Sequence, residues 1–234
     1  MWPTLWFLSF SNIIIQGLTI LAPIDSPNTD GIDPDSYSQT RIEDCYIVST
    51  LIFTQYLHSY SKTNSRNSGW DKYGIKVGIP TEHLVFRRLT CISPDSATIA
   101  LGSEMSGGIR DVRAEDITAI DTQSSVRIKT AVGRGAYVED IYVRRITLKS
   151  MKYVFWMTGS YGSHPDPGFD PKALPLVTEK PKKLQWNCTD VQGITGNVTP
   201  KACDLLPEKQ EVVGCAFPDD RLAIEDVNYN MMLH

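Results

Sequence analysis

The sequence predicts an all-β protein: a right-handed parallel β-helix in which one repeated coil builds a single domain over residues 1–234. Five segments share apolar residues at relative positions 1, 3, 6 and 8. They are Ile13-Ile15-Leu18-Ile20, Thr40-Ile42-Cys45-Ile47, Leu84-Phe86-Leu89-Cys91, Val112-Ala114-Ile117-Ala119 and Ile141-Val143-Ile146-Leu148. Nineteen of these 20 positions are apolar, against about 8 expected from a composition of 41%. Between positions 3 and 6 each segment carries a polar or glycine pair: Gln16-Gly17, Glu43-Asp44, Arg87-Arg88, Glu115-Asp116 and Arg144-Arg145. The segment starts are 27, 44, 28 and 29 residues apart, within the range of solenoid repeats.

This spacing does not suit a helix, because at 100° per residue the four apolar positions scatter around the circumference. Strands alternate with period two, so 1, 3 and then 6, 8 reads as two strand pieces joined through a bulge or corner. Each coil then buries its apolar face on the next. The first 24 residues carry no charged side chain. They lack a basic start, and Pro3, Asn12, Gln16 and Gly17 interrupt the apolar run, so they read as a buried strand rather than a signal peptide or membrane span. The 44-residue interval contains "STLIFTQYLHSYSKTNSRNSGWD", where the acids vanish and Leu51, Ile52, Phe53, Tyr56 and Leu57 crowd together. Residues 51–67 are expected to form an irregular insert. After residue 150 the rhythm fades, residues 160–183 read as a long connection, and residues 184–234 as a C-terminal cap.

Composition narrows the functional classes. A net charge of −4 gives no counterion-release drive toward nucleic acid. The five cysteines form no CxxC and no Cys/His zinc spacing. Cys188, Cys203 and Cys215 lie close together in the tail and are expected to supply one disulfide, while Cys45 and Cys91 sit at ladder positions and are expected to pack as small hydrophobes. Two sequons, at Asn187 and Asn197, flank the same region and lean toward a secreted, glycosylated protein.

Several stretches carry polar chemistry. "SPNTDGIDPDS" holds Asn28, Asp30, Asp33 and Asp35, which serve either as Asx turns or as a site; no frame matches an EF-hand loop. In "SVRIKTAVGRG", Val126 and Ile128 face one side of a strand, so Arg127 and Lys129 share the other, roughly 7 Å apart. Two fixed cations on one strand face suit a substrate with repeated carboxylates, Arg being the bidentate partner; the alternative is a solvated basic edge. "LGSEMSGG" is a Gly/Ser turn holding Glu104, without the lysine of a phosphate-binding P-loop. The four histidines (58, 83, 164 and 234) pair with no nucleophile pattern. Trp156 and Tyr161 offer either sugar stacking or core packing.

Taken in order, "NIIIQGLTILAP", "SPNTDGIDPDS", "RIEDCYIVST", "SGWDKYG", "IALGSEMSGGIRDV", "VRIKTAVGRG", "FWMTGSYGSHPD" and "KLQWNCTDV" resemble plant polygalacturonase-like proteins of glycoside hydrolase family 28. The resemblance runs from about residue 11 to the end. It implies a monomeric, extracellular parallel β-helix that hydrolyses α-1,4-galacturonan of pectin with inversion. It implies no cofactor, no metal, no membrane and no nucleic acid. By the same resemblance, Asn28-Thr29-Asp30 matches an Asn-Thr-Asp motif, giving Asn28 a substrate-binding role and Asp30 the activation of water. Arg127 and Lys129 match an Arg-Ile-Lys motif that binds a galacturonate carboxylate. Gly102-Ser103-Glu104 stands at the Gly-His-Gly position, with Ser103 and Glu104 against substrate in a variant similar to exo-type branches. An Asp-Asp pair carrying the general acid should follow "IVST", but Leu51 and Ile52 stand there. This departure implies an impaired glycosidase, a non-catalytic pectin binder, or a truncated, alternatively spliced or mis-joined product.

Overall fold

The computed structural model describes residues 5–8, 11–23, 30–35, 37–49, 51–54, 79–102, 108–130, 137–159, 188–189, 191–196, 201–209 and 216–228; for 5–8, 30, 33, 35 and 51–54 it describes the backbone. Eleven parallel strands run in chain order as β1 (Leu5–Leu8), β2 (Ser11–Gln16), β3 (Thr19–Leu21), β4 (Asp30–Asp35), β5 (Ser38–Glu43), β6 (Tyr46–Val48), β7 (Leu51–Thr54), β8 (Thr81–Ile92), β9 (Ala97–Gly102), β10 (Ile109–Lys129) and β11 (Val138–Thr158). They form a parallel β-solenoid.

The repeat read from the sequence is the register of the fold. Ile13 pairs with Thr40, Thr40 with Leu84, Leu84 with Val112, and Val112 with Ile141. The second half of each segment stacks likewise, Ile20 on Ile47, Ile47 on Cys91, Cys91 on Ala119 and Ala119 on Leu148. Ladder residues of the inner coils supply most of the buried core, Cys45 and Cys91 among them, with Ile32, Tyr37, Ile99, Leu101 and Ile109 completing it. Thr40, the one non-apolar ladder residue, is buried and donates its hydroxyl to the Ser38 carbonyl.

The phase slip has a backbone cause. The second residue of every polar pair is left-handed: Gly17, Asp44, Arg88, Asp116 and Arg145 have φ between 52° and 69°. A second left-handed column precedes each segment, at Asn12, Gln39, His83, Asp111 and Asp140. Such a residue turns the strand by a corner and resets which alternate side chains face inward. Aspartate, asparagine and glycine tolerate this conformation best. Arg88 and Arg145 tolerate it while bonded to Asp44 and Asp116 one coil back.

Two expectations are corrected. Residues 51–54, expected to be irregular, form β7, which pairs with both β4 and β9. An apolar run beginning Leu-Ile-Phe has the propensity of a strand, and it fills the rung between Ile32 and Ile99. The remainder of that insert lies outside the described residues. The 11–23 stretch is strand, as expected, but mostly exposed at the edge of the solenoid, with Ile15 and Ala22 buried. Residues 217–227, within the expected cap, run across the side of the coils. Arg41 donates to the carbonyls of Ile224, Glu225 and Val227, Arg113 to that of Asp220, and Ile224 packs with Val85 and Leu222. Backbone carbonyls find guanidinium donors there. Cys188 and Cys203 form the tail disulfide.

Candidate active site

The strands holding the candidate residues stack as β1, β4, β7, β9 and the C-terminal halves of β10 and β11. Ile32, Ile99 and Val126 point into the core, so alternation sends Ala100 and Arg127 to the opposite face. Arg127 lies in register with Ala100 on one side and Trp156 on the other; Lys129 lies in register with Gly102 and Thr158. Asp30 opens β4, and its partner on the next rung is Leu51. The register then carries Leu51 to Ala97, and Ala97 pairs with Ser124.

Alternation places the two cations on one face, as the sequence indicates, but that face is covered: Arg127 is 4% and Lys129 1% exposed. The Arg127 guanidinium donates to Ser124 Oγ at 3.0 Å, Ser96 Oγ at 3.4 Å and Gln123 Oε1 at 2.5 Å. Its carbon sits 4.3 Å from the centre of the Trp156 ring, a cation–π contact. Tyr153 packs on that ring at 5.6 Å. Among the described residues the cation is therefore gripped by neutral oxygens and an aromatic face, which fixes its plane. A fixed guanidinium in a place sheltered from water attracts a carboxylate more strongly than one on the surface.

Backbone geometry tightens the same place. Gly102 has φ +102°, and a Cβ there would lie 2.1 Å from the Lys129 carbonyl oxygen. Only glycine allows β9 to lie this close to the end of β10.

Sequence reading missed Ser96, Gln123, Ser124 and Trp156 as the set that holds Arg127. Gln123 and Ser124 precede Arg127 on the same strand and were within reach of a local reading. Ser96 and Trp156 meet it only through coil steps of 31 and 29 residues. Asn28, Ser103, Glu104, Tyr161, Asn187 and Asn197 lie outside the described residues, as do His58, His164 and His234. His83 belongs to a different face, where its Nδ1 pairs with Asp111 at 2.9 Å. Among the described residues no three metal-ligating side chains cluster, and no helix is long and apolar enough to cross a membrane.

No family model matches the chain. It is 50% identical to a probable polygalacturonase of Vitis vinifera, over 257 aligned positions that cover 92% of this chain and 50% of the relative. The chain is a relative of the polygalacturonases. It spans about half the length of that Vitis vinifera polygalacturonase. A polygalacturonase of Juniperus ashei is 30% identical over 57% of this chain and 23% of its own. The probable endopolygalacturonase I of Aspergillus flavus is 24% identical over 76% and 42%. Among solved structures, a hyperthermoactive exopolygalacturonase from Thermotoga maritima aligns with TM-score 0.47 and 28% identity, over 61% of this chain and 32% of that one.

Proposed function

We propose that this polygalacturonase relative is a family 28 glycosidase directed at the α-1,4-galacturonan of pectin, with a hydrolytic centre that lacks its general acid. The observation that carries the reading is the register of Asp30 with Leu51. Inverting glycosidases need one carboxyl group to protonate the leaving oxygen and another across the sugar to activate water, roughly 6.5–9.5 Å apart. Neighbouring strands are about 4.8 Å apart, so groups on adjacent rungs, with side-chain reach, can span that gap. Asp30 supplies the base in this reading. Leu51 and Ile52, where the acid pair belongs, can neither donate nor accept a proton.

Arg127 and Lys129 bind galacturonate carboxylates in the same reading, with Asn28, Ser103 and Glu104 completing the substrate contacts. Because both cations are covered, a carboxylate reaches Arg127 by displacing one of the groups that hold it. Where the displaced group is a hydroxyl or amide oxygen, the exchange is favourable, since a charged acceptor binds a guanidinium more strongly. The disulfide between Cys188 and Cys203 supports an extracellular, cell-wall setting, where the sequons at Asn187 and Asn197 would be used. The same register favours a second reading, a pectin binder without catalysis.

A reducing-sugar assay on polygalacturonate tests the first reading. The chain should turn over at least about 1,000-fold slower than a relative with the Asp pair, within the range that loss of acid catalysis produces. Calorimetric binding of oligogalacturonate should persist and weaken in Arg127→Ala. Turnover equal to the relative's would show that the acid lies elsewhere.

A further inference from the structure

Arg127 lies back along its own strand. Its guanidinium bonds two side chains that precede it on β10, Ser124 three residues back and Gln123 four back, so it does not stand straight out from the sheet. The two bonds share one edge of the group: Nε donates to Ser124 Oγ at 3.0 Å and Nη2 to Gln123 Oε1 at 2.5 Å. Nε and Nη2 are neighbouring donors of the kind that the two oxygens of a carboxylate take together. Two neutral oxygens of the chain therefore sit where a bidentate carboxylate would bind.

The described holders of Arg127 differ in how readily they yield. Ser124 is fully buried, in register between Ala97 and Tyr153, and its backbone N–H bonds the Ser96 carbonyl at 3.0 Å. Ser96 is buried too, and it meets Nη1 at 3.4 Å, a long contact that holds little. Gln123 makes the shortest bond, yet it is half-buried, at the end of a long side chain with many rotamers. Its backbone is fixed separately, by the N–H bond to the Ser93 carbonyl at 3.1 Å. The Gln123 amide can swing to water while the strand stays in place.

We propose that Gln123 is a resident competitor for the substrate carboxylate. Its amide oxygen holds Arg127 along the strand, and a galacturonate carboxylate binds by taking its place. The proposal rests on the reading of Arg127 as a carboxylate-binding residue, and Gln123 is a positioning residue that acts through it. A carboxylate brings a full charge where the amide brings a dipole, so exchange runs toward an ionised ligand, while the bond that must be broken lowers its affinity. Neutral hydroxyls have no such advantage over the amide and leave Gln123 where it is. The contact thus sets a threshold that favours acidic sugars over neutral ones.

Calorimetric titration of oligogalacturonate into the full chain and its variants tests this, each variant first shown to be folded by circular dichroism. Gln123→Ala removes the competitor, and Gln123→Met removes it while keeping the side-chain volume. Both should bind about tenfold tighter than the unaltered chain, the order expected when a hydrogen bond to a charged group no longer has to be broken. Gln123→Glu supplies a carboxylate that pairs with Arg127 and should bind at least about tenfold weaker. In a chain already carrying Arg127→Ala, Gln123→Met should change nothing, because the two residues act as a pair. A purely structural role gives the opposite sign, since loss of Gln123 would then loosen Arg127 and weaken binding. Unchanged or weaker binding in both Gln123→Ala and Gln123→Met, with Arg127→Ala still weakening it, overturns the proposal alone. So does a Gln123→Met effect that persists beside Arg127→Ala. Binding that Arg127→Ala leaves unchanged, or none by any of the chains, overturns the reading of Arg127 itself.

Discussion

Glu43→Gln is expected to be among the more destabilising isosteric changes in the coils. The Glu43 carboxylate is 4% exposed and meets three guanidinium groups: Arg87 at 2.5 Å, Arg88 at 2.9 Å and Arg41 at 3.2 Å. Arg41 is buried as well, and it holds the carbonyls of Ile224, Glu225 and Val227 across the side of the coils. Glutamine keeps the shape but leaves these cations without their shared charge. Removing one partner of a buried pair costs about 3–5 kcal/mol. Arg87 keeps Glu225 and Arg88 keeps Asp44, which places the expected loss near the lower end, about 3 kcal/mol. That is roughly a 150-fold change in the unfolding constant, and about 6–12 °C in Tm for a chain of this size. Urea unfolding followed by tryptophan fluorescence measures it, with Asp44→Asn as the control. Asp44 is more exposed and pairs with Arg88 at the surface, so its loss should cost under about 1 kcal/mol. Equal small losses in both variants would refute the buried network as a source of stability.

Acid sensitivity should trace to the corner carboxylates. Burial pushes Asp111 up, but hydrogen bonds from Arg113 and His83 outweigh it and hold the carboxyl below its usual range; Glu115 is held down in the same way by Arg144 and Arg145. A depressed folded-state value gives stability that is present above the unfolded value and lost as pH falls through the folded one. The Tm should therefore be level from neutral pH down to about 4 and fall below it. Asp111→Asn should lower that plateau and flatten the fall. Gly102→Ala should drive β9 from the Lys129 carbonyl and cost about 2 kcal/mol or more, read by the same unfolding curve. Ile224→Ala should cost about 3 kcal/mol by emptying the contact with Val85 and Leu222, and should increase hydrogen exchange in residues 217–227.

The coil repeat was legible because each side chain in it faces the same side of the solenoid in every coil, so the inward face is written as a local period. The corner was legible as a polar pair; its left-handed backbone and alternating charge emerge only when Asp44 is set beside Arg88 and Asp116 beside Arg145. The path of residues 217–227 left no pattern in their own sequence, because their carbonyls, common to every residue, are what Arg41 and Arg113 grasp. Burial of Arg127 was hidden for a related reason. Trp156 and Ser96 reach it from neighbouring coils, about one repeat away in each direction, and local alternation reports only the face. β7 was misread because an apolar run without regular polar spacing looks irregular until strands on both sides accept it.

The most direct test of the central claim restores the missing acid. The variant Leu51→Asp with Ile52→Asp places carboxyl groups on the rung beside Asp30, and Leu51→Asn with Ile52→Asn places groups of like size that cannot protonate a leaving oxygen. Both are compared with the unaltered chain in a reducing-sugar assay on oligogalacturonate, after circular dichroism confirms that each is folded. The Asp variant should gain at least about 100-fold in rate, the lower bound for a positioned general acid, and the Asn variant should gain nothing. A folded Asp variant as slow as the unaltered chain, or an Asn variant equally fast, would contradict the account.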